Sequence, residues 1–357
     1  MNAEFKHPDV RLEVNGRLYG GWTKIKINRG LDQLAGDFEL EVTERWPGQE
    51  EIRFVAEGAP CRVLIDETPV ITGYVDDVTI SYDAGSHTVG VTGRDKTCDV
   101  IDCCPPSTQL KNQTLAALAQ TLCAPFGIAV VSEVSTPAMP AVKTDEGDTV
   151  YDLLHQQAQA AAVLLYTDGR GRLLIGRAGN KEAGAAVETG KNVLRCSYSA
   201  SMKERFSLYT VLGQSAADDT WNGKAAAHPK GTAKDPFVAR HRPLTVIAEQ
   251  ESHGVSAAQR AQWEANTRYG KGKSVTYTVN GWYGGDALWE PNQMVQVTDS
   301  LIPLDNKWLI VSVVWSMDES GWLTALTIQP KSAYELLPIR KSDSGGKKKE
   351  KDAGLWK

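Results

Sequence analysis

Two stretches decide the fold: Val78-Thr79-Ile80-Ser81-Tyr82-Asp83 and Val313-Val314-Trp315-Ser316-Met317-Asp318. Each passes through a short turn, at Asp83–Ser86 and Asp318–Gly321, into a return run that carries Val91-Thr92 or Leu326-Thr327 at matching distance. Each also follows a single strand-like run ending in aspartate, at Asp66 and at Asp299. An order of elements repeated in this way predicts one β-module used twice. Ile80 and Trp315 then hold corresponding places, and their side chains are expected on the corresponding face.

The rest of the chain builds outward from these hairpins. Around the second, Val275, Tyr277 and Val279 alternate with polar residues at the period of a half-buried strand. Gly281-Trp282-Tyr283-Gly284-Gly285 and Trp289-Glu290-Pro291-Asn292 punctuate the run before Met294–Val297. Trp282, Trp289, Trp308, Trp315 and Trp322 all fall here, none beside a recognisable catalytic group. Around the first, Val10, Leu12 and Val14 lead into Asn15-Gly16, a strong hairpin signal. Phe38, Leu40 and Val42 alternate again, as do Cys61, Val63 and Ile65 before a turn at Glu67-Thr68-Pro69.

Between the two lies a different pattern. Asn112 is placed to cap a helix with Leu115, Leu118, Ala119 and Leu122 on one face, stopped by Pro125 and Gly127. A second helix from Asp148-Thr149 turns Val150, Leu153, Leu154, Ala158 and Ala161 inward, and a hairpin, Val163–Tyr166 and Leu173–Ile175, follows. The expected fold is therefore mainly β with an α+β insert. Two similar β-barrel-like modules, 1–97 and 189–338, flank a small α+β module, 98–188. The second β-module holds an irregular insertion at 213–236 and a helix to Tyr269, which Ser256 and Gln259 start as a capping box. Residues 339–357 read as a flexible basic tail, with Ser342–Asp352 disordered and Leu355-Trp356 as an apolar tip able to anchor on a partner.

At 357 residues the chain exceeds the roughly 250–300 at which single cores divide. The net charge is −5, but residues 340–357 carry seven basic and three acidic side chains, so the body stands near −9. An acidic body does not clasp nucleic acid, because phosphate contacts need a basic face. No apolar run reaches the ~18 residues of a membrane span, so no membrane insertion is expected. Met1–Val10 lacks a hydrophobic signal core, which implies folding in the cytoplasm.

Chemistry-bearing motifs are scarce. Cys61, Cys98, Cys103, Cys104, Cys123 and Cys196 form no Cys-x-x-Cys pair, so reduced thiols are expected and no metal or cofactor is assigned. Gly272-Lys273-Ser274 resembles the end of a phosphate loop, but position 267 is Thr267 and the helix–strand order is inverted. Glu50-Glu51 and Asp76-Asp77 are neighbours that a strand would point to opposite faces. His155 lies in the second helix with no obvious partner. No catalytic residue is named.

Three blocks, however, are familiar together: Gly73-Tyr74-Val75-Asp76-Asp77-Val78, Gly93-Arg94-Asp95-Lys96-Thr97-Cys98-Asp99-Val100-Ile101-Asp102, and Cys123-Ala124-Pro125-Phe126-Gly127-Ile128. With Leu288-Trp289-Glu290-Pro291-Asn292, Val295-Gln296-Val297 and Pro330-Lys331-Ser332-Ala333-Tyr334, the order resembles the central baseplate hub of contractile-tailed phages, the Mu-like branch above all. It is also similar to the hub part of type VI secretion spike proteins. The resemblance runs over most of residues 5–338 and leaves the 340–357 tail without a counterpart. It implies a virion tail baseplate protein without enzymatic activity, forming a homotrimer. Six β-modules would ring a pore, joining a sixfold tail tube to a threefold spike and letting DNA pass without specific binding. The alternatives are a tail-associated cell-wall hydrolase, which peptidoglycan zymography would reveal, and a carbohydrate-binding module using exposed Trp282 or Trp289.

Overall fold

Alternating burial makes this chain a sheet protein. Val10, Leu12 and Val14 turn inward between more exposed neighbours. Asn15 and Gly16 then take φ of 51° and 74°, the left-handed values that a two-residue hairpin requires. The computed structural model describes residues 7–43, 55–84, 87–107, 109–144, 147–161, 163–179, 181–213, 230–247, 257–302 and 304–334. Glu50-Glu51, Ser256 and the 339–357 tail lie outside the described residues.

The first part of the chain gives seven strands: β1 (Val10–Val14), β2 (Arg17–Tyr19), β3 (Lys24–Gly30), β4 (Asp37–Thr43), β5 (Pro60–Ile65), β6 (Thr68–Tyr82) and β7 (His87–Asp95). Next come α1 (Cys98–Asp102), β8 (Gln109–Gln113), α2 (Leu115–Cys123), β9 (Val130–Ser132), β10 (Met139–Lys143), α3 (Val150–Ala161), β11 (Leu164–Thr167) and β12 (Leu173–Gly176). Then follow β13 (Lys181–Glu182), β14 (Val187–Glu188), β15 (Val193–Ala200), β16 (Leu208–Leu212), β17 (Lys230–Lys234), β18 (Pro243–Ile247) and α4 (Ala257–Lys271). The chain closes with β19 (Lys273–Asn280), β20 (Tyr283–Gly284), β21 (Ala287–Leu288), β22 (Gln293–Asp299), β23 (Leu304–Asp318) and β24 (Gly321–Gln329).

The two β regions share a single sheet, in the order β15-β19-β24-β23-β3-β4-β7-β6-β5-β1-β2. β22 branches from β23 and carries β13 and β14 in parallel pairing. The joint lies where β23 pairs antiparallel with β3, from Ser312 opposite Gly30 to Met317 opposite Ile25. Trp315 stands opposite Ile27, and both are fully enclosed. One apolar cluster runs through the joint, taking in Ile25, Ile27, Phe38 and Leu40 from one side and Tyr277, Val313, Trp315 and Leu326 from the other.

The α+β region has its own core, in which α2 and α3 lay Leu115, Leu118, Leu122, Leu153 and Leu154 against Leu165, Leu173 and Ile175. The α2 cap differs from expectation. Thr114 accepts from the Ala117 N–H at 3.3 Å, while Asn112 sits two residues earlier in β8 with φ of 55°. Asn tolerates that left-handed conformation, and Thr114 is the last extended residue before the helix. The stretch read as an irregular insertion contains β17, paired with β16 from Leu208 opposite Lys234 to Leu212 opposite Lys230. Its sequence, Lys-Gly-Thr-Ala-Lys, buries only Gly231 and Ala233, too little apolar alternation to announce a strand.

Close backbone contact fixes this region to the sheet. A Cβ on Gly169 would stand 2.1 Å from the Pro69 carbonyl oxygen, so only glycine fits there. The Thr72 hydroxyl donates to Gly169 O at 2.8 Å, and the Arg29 guanidinium donates to Thr167 O at 3.2 Å. At the same junction Asp95 is buried and accepts from the Thr97 N–H at 3.0 Å and its hydroxyl at 2.8 Å. Burial raises its carboxyl to about 6, against the pull of those hydrogen bonds and of Arg29.

Two outcomes follow from this arrangement. Trp315→Ala should lower stability by about 3–5 kcal/mol, seen as a fall in the urea midpoint, because it empties the joint of both β regions. For Asp95 the folded pKa lies above the ordinary 3.8, so its contribution is full below 3.8 and is lost as pH rises through about 6. Asp95→Asn cannot ionise, so its stability relative to wild type should rise by about 2 kcal/mol between about pH 4 and 7, measured by urea unfolding at several pH values.

Candidate functional site: two open sheet edges

The two β regions repeat one plan in detail. Val78 pairs with Val91 and Ile80 with Val89. Val313 pairs with Leu326 and Trp315 with Thr324, so the residue numbers differ by 235 throughout. Each hairpin has a one-residue bulge in its long strand, at Asp76 between Val75 and Asp77, and at Val311 between Ile310 and Ser312. The same shift of 235 relates the two bulges, and a bulge is a specific device rather than an accident of pairing. The neighbours agree as well: β3-β4-β7-β6-β5 matches β15-β19-β24-β23-β22 strand for strand. Ile80 and Trp315 therefore do hold corresponding positions.

Their surroundings differ. β3 covers the outer half of β23, so Trp315 is fully buried. Among the described residues no strand pairs with Asp77–Tyr82 on the side away from β7, which leaves Ile80 50% and Tyr82 77% exposed. At one end of the sheet, β15 pairs among the described residues only with β19, and its residues beyond Val193 are exposed. Leu194 is 61% exposed there and Tyr198 45%. β15 is the counterpart of β3, with residue numbers shifted by 171, so Ile25 corresponds to Cys196 and Ile27 to Tyr198. The chain thus makes one edge-to-edge joint, and the counterparts of its two strands are open. Such edges invite pairing unless something covers them.

The face of the shared sheet away from the apolar core is hydroxyl-rich. Thr79, Ser81, Thr92, Ser312, Thr276 and Ser197 are among those on it. Its charges balance: Lys24, Lys26, Arg94 and Arg195 against Asp37, Glu39, Glu41 and Asp77.

The other residues weighed in the sequence fall in structural roles. Trp282 and Trp289 are enclosed, so neither offers an indole face to a sugar; Trp282 donates from Nε1 to Ser316 O at 3.0 Å and packs edge-on against Trp322. His155 stacks on Tyr151 with ring centroids 5.0 Å apart, contacts Gln159 at 2.8 Å, and is held below its usual pKa by burial. Asp76, at the bulge, grips Arg94 at 2.7 Å, and Asp77 lies on the hydroxyl-rich face, so the two do not converge. Lys273 and Ser274 begin β19. Cys98 and Cys123 are buried in the core, and burial pushes each thiol up to about 12. Among the described residues no group of three or more His, Cys, Asp or Glu is placed to hold a metal ion. Sequence reasoning missed the open edges. Alternation marks Ile80 and Tyr198 as facing something apolar, but not whether that something belongs to the same chain.

Known proteins share this sequence and fold. Family models match three parts of the chain: the N-terminal domain of Mu phage baseplate assembly protein GpP-like over residues 9–95, the second domain of baseplate hub protein gp44-like over 97–177, and the fourth domain of GpP over 254–337. Baseplate hub protein gp44 of Escherichia phage Mu is 33% identical across 94% of this chain and 92% of that protein. The crystal structure of a 43 kDa tail protein from prophage MuSo2 of Shewanella oneidensis superposes with a TM-score of 0.81 at 34% identity, covering 92% of this chain and 99% of that one. An Escherichia coli component of the type VI secretion system shares the fold alone, with a TM-score of 0.54 at 10% identity over 89% of this chain and 76% of that one. These relatives in phage tails are structural proteins and not enzymes. A duplicated β plan in one sheet, matched along nearly its whole length to a phage baseplate hub, shows that this chain belongs to the baseplate hub family of Mu-like phages.

Proposed function

We propose that the chain works as a homotrimeric ring in the tail baseplate, in which six β-modules surround a pore and join a sixfold tube to a threefold spike. One observation carries this reading: β6 and β15 are the open counterparts of the β23–β3 joint. Applying the same register between copies sets Ile80 opposite Tyr198 and Tyr82 opposite Cys196 of the next chain. The contact is head-to-tail, so it closes on itself only by rotation, as a ring does. Modules of the first and second type then alternate around that ring, giving near-sixfold symmetry from three chains. DNA passage is part of the proposal. The hydroxyl-rich, charge-balanced face suits a wall along which a polyanion slides, because it holds no surplus of cations to bind phosphate.

Mass measurement in solution should give a trimer at micromolar concentration; a monomer at every concentration tested would refute the ring. Tyr82→Cys should form disulfide-linked oligomers with the native Cys196 on oxidation, absent when Cys196 is also replaced by Ser, because cross-strand partners stand within disulfide reach. Purified trimer should fail to shift duplex DNA at physiological ionic strength, and retention there would count against a passive pore.

A further inference from the structure

We propose that Lys203 of one copy pairs with Asp99 of the next and so closes the seam between chains. The proposal rests on the ring reading above and adds to it what holds the ring's joints beyond the strands themselves.

The joint inside the chain shows what a seam contains. Just past β3, the Leu31 N–H donates to Val311 O at 2.8 Å, and Leu31 is buried with Leu309, Val311, Tyr166, Ala333 and Tyr334. The Tyr334 hydroxyl then crosses the seam and donates to an Asp32 carboxylate oxygen at 2.6 Å. Tyr334 follows a 3-10 turn, Lys331–Ala333, that succeeds the last strand of its hairpin.

The two shifts of 235 and 171 carry these positions onto the open edges. Val311 corresponds to the bulge residue Asp76, Ala333 to Cys98, and Tyr334 to Asp99. The correspondence persists past the strands, since Ala333 and Cys98 are both buried in a right-handed turn after the return strand. On the other edge, carrying the shift of 171 past the last paired residues sets Met202, which is exposed, at the place of Leu31 and Lys203 at that of Asp32. The hydrogen bond from phenol to carboxylate is thus replaced by a carboxylate facing an ammonium.

The charges around the two residues fit the exchange. Asp99, 3.8 Å from the Cys98 thiol, shares the surroundings of that thiol with Asp76 and Asp102, which divide the Arg94 guanidinium between them at 2.7 and 2.9 Å, so this side carries surplus negative charge. Lys203 lies against Arg242, whose guanidinium donates to the Lys203 and Arg205 carbonyl oxygens, and its acidic neighbour Glu204 is engaged by Arg268 at 3.3 Å. That side is positive. The seam within a chain thus ends on a buried apolar cluster closed by the phenol–carboxylate hydrogen bond, with Lys271 Nζ 3.6 Å from Asp32, whereas the seam between chains ends on two opposite charges, steered by long-range attraction and weakened by salt.

Charge reversal with a swap tests the pairing, read as the trimer–monomer distribution by analytical ultracentrifugation at low and high salt. Lys203→Glu and Asp99→Lys should each weaken assembly by about tenfold or more, because like charges then face each other. The double variant should recover most of that loss and show the salt dependence of wild type. A trimeric wild type with an indifferent Lys203→Glu, or a double variant no better than the two single effects added, overturns the pair while leaving the ring. A wild type that stays monomeric overturns the ring and the pair together.

Discussion

Everything in this molecule depends on the antiparallel pairing of β23 with β3. β23 is 15 residues long; one edge pairs with β24, and the other serves β22 along its first half and β3 along its second. The bulge at Val311 falls between the two pairings and lets one strand leave the first and enter the other. Without β3, Trp315 would stand in solvent, as Ile80 does at the matching place. The joint is thus what turns two β regions into one sheet, while its counterparts, the outer half of β6 and the free edge of β15, stay open among the described residues.

The repeat was legible in the sequence because it is written in strand period and turn spacing. Val78 to Val91 and Val313 to Leu326 span equal distances, and the structure pairs both sets directly. The helices of the insert were legible for the same kind of reason, since Leu115, Leu118 and Leu122 recur at helical spacing and all are buried. Caps were less so. Asn112 and Thr114 are both good N-cap types, and only the backbone decides between them.

The open edges were the hardest part to read. Ile80 and Trp315 look alike in sequence, apolar residues at one position of one motif, yet one is half exposed and the other enclosed. That difference arises from a strand nearly three hundred residues away for Trp315, and from its absence for Ile80. Close backbone approaches were equally silent. A Cβ on Gly73 would meet Arg94 O at 1.9 Å, and one on Gly93 would meet Tyr74 O at 2.2 Å, so the β6–β7 pair tolerates no side chain at either point. Neither glycine breaks the alternation around it, and nothing local marks its need.

Placing both modules in one polypeptide also separates two kinds of joint by how they respond to dilution. The β23–β3 contact forms within a chain, so each half meets the other at an effective concentration fixed by the intervening residues and never by the amount of protein. A chain folded alone at any dilution already holds both β regions in one sheet. In the proposed ring, contacts made through β6 and β15 would obey mass action and vanish when protein is scarce. The proposed ring would then have its order of assembly written into covalent connectivity: the shared sheet forms first, and larger structures wait until enough copies have accumulated.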